Sequence, residues 1–205
     1  MTARRAGRRP GNPDTREAIL TAARTAFAEK GYDGTSIRAI AAAADVDPAL
    51  VHHYFGTKDK LFLAAMNSPV DPGEIIPAAL AGDPAEIGFR LVRTFLSVWD
   101  SPAGKAGVAM LRSALSTEWT ARLFREFVTS QVLRRVRSAV DMKPDEAPLR
   151  VTLVASQLAG VAMLRYVLRV EPLASAPRET LVAALGPTVQ RYIAGDLDGA
   201  PPPAP

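Results

Sequence analysis

Residues Thr35 to Leu61, TSIRAIAAAADVDPALVHHYFGTKDKL, decide the fold of this chain because two short helical patterns meet there across a tight joint. Ile37 and Ile40 recur at helical spacing in the first pattern. Pro48 suits the first turn of the second pattern, because the N–H that proline lacks has no helical partner there, and Asp47 is a competent cap. A third helix marked by lysines follows directly. This layout is that of a DNA-reading helix-turn-helix.

The second helix of this pair, predicted from Pro48 to Tyr54, is the one expected to reach DNA. Val51 and Phe55 lie four residues apart and are predicted to face inward, and Gly56 is predicted to end the helix. The major groove admits an α-helix, where apolar groups touch thymine methyls and imidazoles meet phosphates or base acceptors. The side chains predicted to contact DNA here are Pro48, Ala49, Leu50, His52 and His53, with Lys58 and Lys60 on phosphates. The alternative is a compact three-helix packing unit without a ligand.

Two blocks of sequence in the first third of the chain carry a family resemblance. They are Ala-Phe-Ala-Glu-Lys-Gly-Tyr at 26–32 and His-His-Tyr-Phe-Gly-Thr-Lys-Asp-Lys-Leu at 52–61. With them, the chain resembles the TetR family of bacterial one-component transcriptional regulators. It departs from that family at His52, where most members carry tyrosine, and at Asp47, where serine or threonine is usual.

The resemblance implies a fold, a function and two further contacts. The fold is all-α, with an N-terminal three-helix helix-turn-helix domain and a larger C-terminal helical domain for ligand binding and dimerisation. The function is that of a repressor that binds a near-palindromic operator as a homodimer and responds to a small molecule. Thr35 and Tyr54 are further phosphate contacts by the same resemblance.

Positive charge is concentrated at the N-terminus. Basic residues number 25 against 21 acidic ones, a formal net charge of +4, and Arg4, Arg5, Arg8 and Arg9 precede Pro10. Residues 1–13 are therefore predicted to form a flexible basic arm. Such an arm suits the minor groove or the phosphate backbone and adds salt-sensitive affinity that is mostly independent of sequence. The alternative is a disordered leader that aids solubility.

The pattern of breaks divides the rest of the chain. Residues 14–60 are predicted to form the DNA-binding domain, 61–196 the effector-binding and dimerisation domain, and 197–205 a disordered tail rich in Gly and Pro. A proline-rich stretch from Ser68 to Pro84 is interpreted as a boundary region. The long helical patterns that follow it lie at about 84–100, 103–116, 118–141, 146–170 and 178–195.

The last two helical patterns suit dimerisation. The segment 151–170 is apolar on most sides around Gly160, and a helix of that kind must be buried by neighbours on several faces. The segment 178–195 carries Leu181, Val182, Leu185, Val189 and Ile193 along one side. Pairing with a two-fold mate would produce a four-helix bundle, whereas the alternative is that these helices fill a monomeric core.

The middle helices carry aromatic and methionine side chains that are candidates for an effector pocket. The predicted apolar lining is Phe95, Trp99, Met110, Trp119, Phe124, Phe127, Met163 and Tyr166, with Gln157 and Arg165 as polar anchors. The implied effector is apolar or amphipathic. Stripes of this kind are also typical of plain core, and Arg165 has possible ion-pair partners in Glu126 and Glu171.

Several function classes find no support in the residues. The chain has no cysteine, and its two histidines are adjacent, so on a helix they point roughly 100° apart and do not chelate one metal. There is no G-x-S-x-G elbow, Gly-rich phosphate loop or Glu-x-x-His pair, so we expect no enzyme, cofactor or metal. The apolar run Val151 to Leu164 is short for a bilayer and no signal peptide is evident, which favours a cytoplasmic protein. The alternatives are a helical protein-binding adaptor or, less favoured, an all-helical enzyme.

Overall fold

The computed structural model describes residues 13–197, and every regular element in that range is helical, which confirms the all-α fold class. The predicted basic arm and tail lie almost wholly outside the described residues. The helices are α1 (Pro13–Lys30), α2 (Ile37–Ala43), α3 (Pro48–Phe55), α4 (Lys58–Ala65), α5 (Pro72–Leu80), α6 (Ile87–Trp99), α7 (Pro102–Ala114), α8 (Glu118–Glu126), α9 (Arg134–Ala139), α10 (Ala147–Val161) and α11 (Arg178–Ala194). Wider π-helical turns occupy Phe127–Leu133 and Ala162–Val167, and a 3₁₀ turn occupies Pro84–Glu86.

The chain divides into two compact units between Met66 and Asn67. The first unit contains α1 to α4 and the second contains α5 to α11. The domain boundary predicted after residue 60 falls inside α4. Leu61 and Phe62 on that helix are fully buried, and α4 packs against α1, so the whole helix belongs to the first unit.

The core of the first unit is built on aromatic rings from both ends of its sequence. Phe62 of α4 meets Phe27 of α1 edge to face at 4.7 Å between ring centroids, and Tyr32 at 5.4 Å. Ser36 caps α2, because its side chain accepts a hydrogen bond of 3.1 Å from the Ala39 N–H. α2 packs against α1 and α3 packs against α4, so this core supports both helices of the pair.

The second unit is organised around the close packing of α6 on α11. Gly88 of α6 permits this approach, since a Cβ atom there would lie 2.4 Å from the backbone N of Gln190. The Gln190 side chain in turn accepts from the Gly88 N–H at 2.7 Å and donates to the Pro84 carbonyl at 2.9 Å. The start of α6 is thereby joined to α11 by both packing and hydrogen bonds.

The stretch interpreted as a boundary region contains a helix, α5, that the sequence reading missed. Asp71 caps α5 and Pro72 occupies its first turn, a position that favours proline. Pro77 lies inside the helix. Pro77 cannot donate a backbone hydrogen bond, and the burial of Ile76 and Leu80 in the core of the second unit compensates for this loss. The sequence prediction treated the prolines as helix breaks and did not include this tertiary packing.

The apolar helix near the end of the chain corresponds to the helical pattern predicted at about 146–170. α10 and the π-helical turns after it run without a break from Ala147 to Val167, 21 residues that contain an 18-residue window with a mean hydropathy of 1.4. Length and composition alone would therefore allow it to cross a membrane. That is weak evidence, because the core helix of a soluble protein has the same properties. On its buried face, Arg150 pairs with Glu146 and donates to the Tyr192 carbonyl at 3.0 Å, which ties it to α11.

Candidate nucleic-acid interface and effector cavity

The joint between α2 and α3 is held by three local features. Asp45 adopts a left-handed backbone conformation with φ of 54°, which aspartate tolerates better than most residues. The Val46 N–H donates to the Ala41 carbonyl at 3.0 Å. Asp47 then accepts from the Ala49 N–H at 2.7 Å, which confirms the predicted cap. The start of α3 is therefore well defined.

α3 presents one face to the core and another to solvent. Val51 and Phe55 are buried, at 1% and 8% exposure, in agreement with the predicted inward face. Ala49, His52 and His53 are exposed, while Leu50, Pro48 and Tyr54 are half-buried. An outward face with a leucine and two imidazoles on a short helix has the size and chemistry for base edges in a major groove.

The His52 side chain is held in one orientation. Its Nδ1 lies 2.8 Å from the carbonyl oxygen of Gly56, just past the end of α3. Since a carbonyl oxygen only accepts, Nδ1 carries the proton and donates. In the neutral ring Nε2 is then the acceptor. His52 therefore offers the Nε2 acceptor on the exposed face of α3.

The surroundings of Thr35 and Tyr54 contradict the phosphate contacts predicted for these two residues. Thr35 is 3% exposed, and its hydroxyl lies 2.7 Å from the Gly31 carbonyl oxygen and 3.0 Å from that of Ala26. It braces the end of α1 and has no surface to offer a phosphate. The Tyr54 hydroxyl is buried and has no hydrogen-bond partner among residues 13–197, so it too is turned away from solvent.

The two lysines assigned to phosphates differ in their freedom. The Lys58 ammonium lies 4.3 Å from the centroid of the Tyr32 ring, a cation–π contact that restrains it. The Tyr32 hydroxyl also hydrogen-bonds the Asp59 carboxylate. Lys60 is exposed at the start of α4. Within residues 13–66 seven acidic side chains stand against six basic ones, so this part of the first unit is not basic overall.

The second unit contains a partly open cavity of about 290 Å³ lined by residues 68–70, α5, α6, α7, α8, the 127–133 turns, α9, α10 and the 162–167 turns. Both stretches of π-helical turns contribute to its wall. Five of the predicted pocket residues line the cavity: Phe95, Trp99, Met110, Phe124 and Phe127. The rest of the wall is mostly aliphatic and includes residues of α5, such as Ile75 and Ile76, that were not predicted to line a pocket.

The other predicted pocket residues do not line this cavity. Trp119, in the first turn of α8, is 41% exposed and is not among the residues that line the cavity. Gln157 and Met163 lie off the stripe of α10 and its extension that faces the cavity, which is Val151, Val154, Ala155, Leu158, Ala159 and Ala162. Arg165 donates to the carbonyls of Leu173 and Ala176, at 2.6 and 2.8 Å, so it organises the loop before α11.

Tyr166 takes part in a polar cluster beside the cavity. Its hydroxyl donates to Asp100 Oδ1 at 2.8 Å, and Arg178 Nε donates to Asp100 Oδ2 at 3.0 Å. Burial and the hydrogen bond to Asp100 raise the pKa of Tyr166 to about 12. The Tyr166 ring also stacks on Trp99 at 5.3 Å between centroids. One face of Trp99 is thus fixed by this cluster, although Tyr166 does not reach the cavity.

On α10 and its π-helical extension, an apolar surface lies on the side opposite the stripe that faces the cavity. Leu149, Leu164 and Leu168 are 57%, 42% and 60% exposed. A Cβ atom added to Gly160 would have no heavy atom within 4 Å. On α11 the exposed residues include the small side chains of Ala183, Ala184 and Ala194, together with Arg178, Glu179 and Arg191. Leucines exposed in a row beside an open glycine are typical of a helix that another helix covers.

The residues with metal-binding potential do not gather in the described range. Within residues 13–197, no three His, Asp or Glu side chains lie together as ligands for one ion.

Comparison with known proteins identifies two matching regions. Residues 19–65 match the family of bacterial regulatory proteins described as tetR family, and residues 85–193 match the tetracyclin repressor-like C-terminal domain. The second match alone covers more than half of the chain. A TetR-family regulator from Streptomyces coelicolor A3 is 42% identical over 92% of this chain and 99% of its own, with a TM-score of 0.47.

Curated relatives match over a short part of the chain. The HTH-type transcriptional repressor AcnR of Corynebacterium efficiens is 43% identical over 58 residues, 28% of this chain and 30% of that protein. The HTH-type transcriptional regulator BetI of Brucella anthropi is 44% identical over 54 residues, 26% of this chain and 28% of that protein. The chain thus aligns with less than a third of the length of these two relatives.

Proposed function

This chain belongs to the TetR family of bacterial regulatory proteins, and on that premise we propose that it is a sequence-specific DNA-binding repressor released by a small molecule. Proteins of this family regulate transcription and are generally not enzymes. The adaptor and enzyme alternatives receive no support from the matches, whereas AcnR, similar over 58 residues, is itself named a repressor. A cytoplasmic location follows from the proposed work on DNA.

The observation that carries the proposal is the outward face of α3. Ala49, His52 and His53 are exposed on a helix whose start is capped and whose other face is anchored by Val51 and Phe55. We assign direct base contacts to Leu50, His52 and His53, and a phosphate contact to Lys60. Pro48 and Ala49 lie at the N-terminal end of α3, the part of a recognition helix that approaches bases.

Dimerisation through α10 and α11 would place two copies of α3 on one operator. The exposed leucines of α10 and the open surface at Gly160 support this assignment. Two recognition helices on one face of DNA must be separated by about one helical turn, roughly 34–36 Å, or by a multiple of it. The operator is therefore a near-palindrome, and repression follows where it overlaps a promoter.

The cavity in the second unit is the proposed effector site. A ligand shifts the equilibrium between DNA-binding and released conformations only by its different affinity for the two. The cavity walls come from eight helical segments, so a ligand that favours one arrangement of these segments over another meets this condition.

Selection of genomic fragments bound by the purified chain tests the proposal. We expect recovery of a small set of fragments that share a near-palindrome, and a gel shift with a duplex of that sequence that survives moderate salt. Loss of all preference over random duplex at moderate salt would contradict specific recognition. A monomeric state on the selected duplex would contradict the dimer.

A further inference from the structure

The wall of the cavity carries no charged side chain. Of the residues that line it, only Ser68 and Thr94 have hydroxyl groups, and the indole of Trp99 has the one side-chain N–H. All the others are aliphatic, aromatic, glycine, proline or methionine. A charged ligand group inside this wall would lose its hydration and gain no counter-charge, which is costly in a protein interior.

The charged groups near the wall are already engaged. Asp100 follows Trp99 in sequence but accepts hydrogen bonds from Tyr166 and Arg178. Arg90 donates to the Ala79 carbonyl at 3.2 Å. Arg165 donates from Nη1 to two backbone carbonyls, while its buried Nε has no partner among residues 13–197. A ligand would have to break contacts to recruit Asp100 or Arg90, and Arg165 is not among the residues that line the cavity.

The two wall hydroxyls are not equivalent. Ser68 donates to the Val70 carbonyl at 2.8 Å, so its proton is committed within its own loop. Thr94, in the middle of α6, is half-buried, and its hydroxyl has no protein partner among residues 13–197. Thr94 is the hydroxyl that remains available to a ligand.

From this wall we propose that the cavity takes an uncharged, mainly apolar molecule, oriented by one hydrogen bond to the Thr94 hydroxyl. The inference rests on the proposed function for its regulatory meaning, and it names the chemical class of the effector. The volume of about 290 Å³ is at the small end for ligand sites, which indicates a compact molecule.

Four probes that share a butylbenzene frame test whether the cavity prefers uncharged ligands at pH 7. They are butylbenzene, 4-butylphenol, 4-butylbenzoate and 4-butylbenzylammonium. The chain has two tryptophans, and W119F removes the exposed one and leaves Trp99, in the cavity wall, as the reporter. Fluorescence titration of W119F, with calorimetry of the unmodified chain, gives each dissociation constant. We expect both neutral probes to bind at least about tenfold more tightly than either ion. Equal or tighter binding of an ion, or no binding of any probe, would overturn the proposal.

Thr94 is tested by a matched pair of substitutions. T94V keeps the shape and removes the hydroxyl, whereas T94S keeps the hydroxyl. We expect T94V to weaken 4-butylphenol about threefold to tenfold and to leave butylbenzene unchanged, while T94S retains most of the phenol affinity. A T94V variant that still prefers the phenol over butylbenzene as the unmodified chain does would refute the anchor. No DNA is present in these titrations, so failure of the ligand class is separate from failure of operator binding.

Discussion

At the scale of single residues, the surface of α3 and the start of α4 divide into two kinds of DNA contact. In the proposed complex, Leu50, His52 and His53 contact base edges and the exposed Lys60 contacts only the phosphate backbone. Base contacts discriminate between sequences, whereas phosphate contacts supply affinity that salt weakens. The two kinds are therefore separable by measurement.

We expect L50A and H53A to change sequence preference and K60A to leave it unchanged. Loss of a base contact costs about 1–3 kcal/mol at the position it reads, and loss of a phosphate contact lowers the salt slope by about one on every sequence. Gel shifts on the operator and on single-base variants, at several salt concentrations, measure both effects. K105A, an exposed lysine of α7 in the second unit, is the control and should change neither. Equal loss in the two sets would refute the division.

Tyr166 gives a pH dependence of stability whose sign is fixed. Burial, followed by the hydrogen bond to Asp100, raises its pKa to about 12 from an ordinary value near 10. Because the folded state holds this proton more tightly, the stabilisation is complete below pH 10 and is lost as the pH rises through 12. We expect Y166F to be about 1 kcal/mol less stable near neutrality, through loss of one hydrogen bond. Its disadvantage should shrink at alkaline pH, as followed by urea unfolding; a constant gap up to pH 12 would contradict the account.

The residues of the cavity mark the limit of sequence reasoning at this scale. The abundance of Phe, Trp and Met in the middle helices predicted an apolar pocket, but composition does not tell which face of a helix a side chain occupies. Trp119 and Arg165 were assigned to the pocket and lie outside it, while small residues such as Ala155 line it. The Thr35 hydroxyl was likewise assigned to DNA, although it binds carbonyls of the chain itself. Such errors are corrected only by tertiary packing.

At the scale of helices, periodicity and capping predicted most of the fold. The pattern at 118–141 corresponds to one continuous helical stretch from Glu118 to Ala139, and that at 178–195 to α11. α5 was missed because prolines were counted as breaks, whereas Pro72 starts the helix and packing outweighs Pro77. The π-helical turns were also absent from the prediction, since a shift of one residue in the hydrogen-bond pattern leaves no clear periodic signal.

The exposed leucines of α10 and its extension provide a test of the dimer. We expect L164E to weaken self-association at least about tenfold, because a leucine buried at an interface contributes roughly 1.5–3 kcal/mol and a buried glutamate adds a desolvation cost. Leu115, in the turn between α7 and α8, is 70% exposed, so L115E is the matched control and should leave association unchanged. Sedimentation equilibrium over a range of concentrations measures both. Equal effects of the two substitutions, or none for L164E, would place the dimer contact elsewhere.

At the scale of the whole molecule, the excess positive charge and the proposed DNA-recognition surface lie in different parts of the sequence. The segment 13–66 carries one more acidic than basic side chain, and residues 1–12 carry four arginines and no acid. A protein whose helix-turn-helix unit is nearly neutral needs positively charged side chains from another part of the chain to neutralise DNA phosphates. The arm is the nearest source along the chain, so its contribution should be large and independent of sequence.

Deletion of residues 1–12 should therefore weaken operator and random duplex by similar factors. The slope of the logarithm of affinity against the logarithm of salt concentration should fall by about 0.9 for each arginine that neutralises a phosphate. Replacement of all four arginines by lysine keeps the charge and should preserve most of the slope, while replacement by glutamine should reproduce the deletion. Fluorescence anisotropy on both duplexes from low to moderate salt makes the measurement. If the slope stays constant across these variants, the arm does not touch DNA, and the phosphates must be neutralised by basic residues of the first unit such as Lys58 and Lys60.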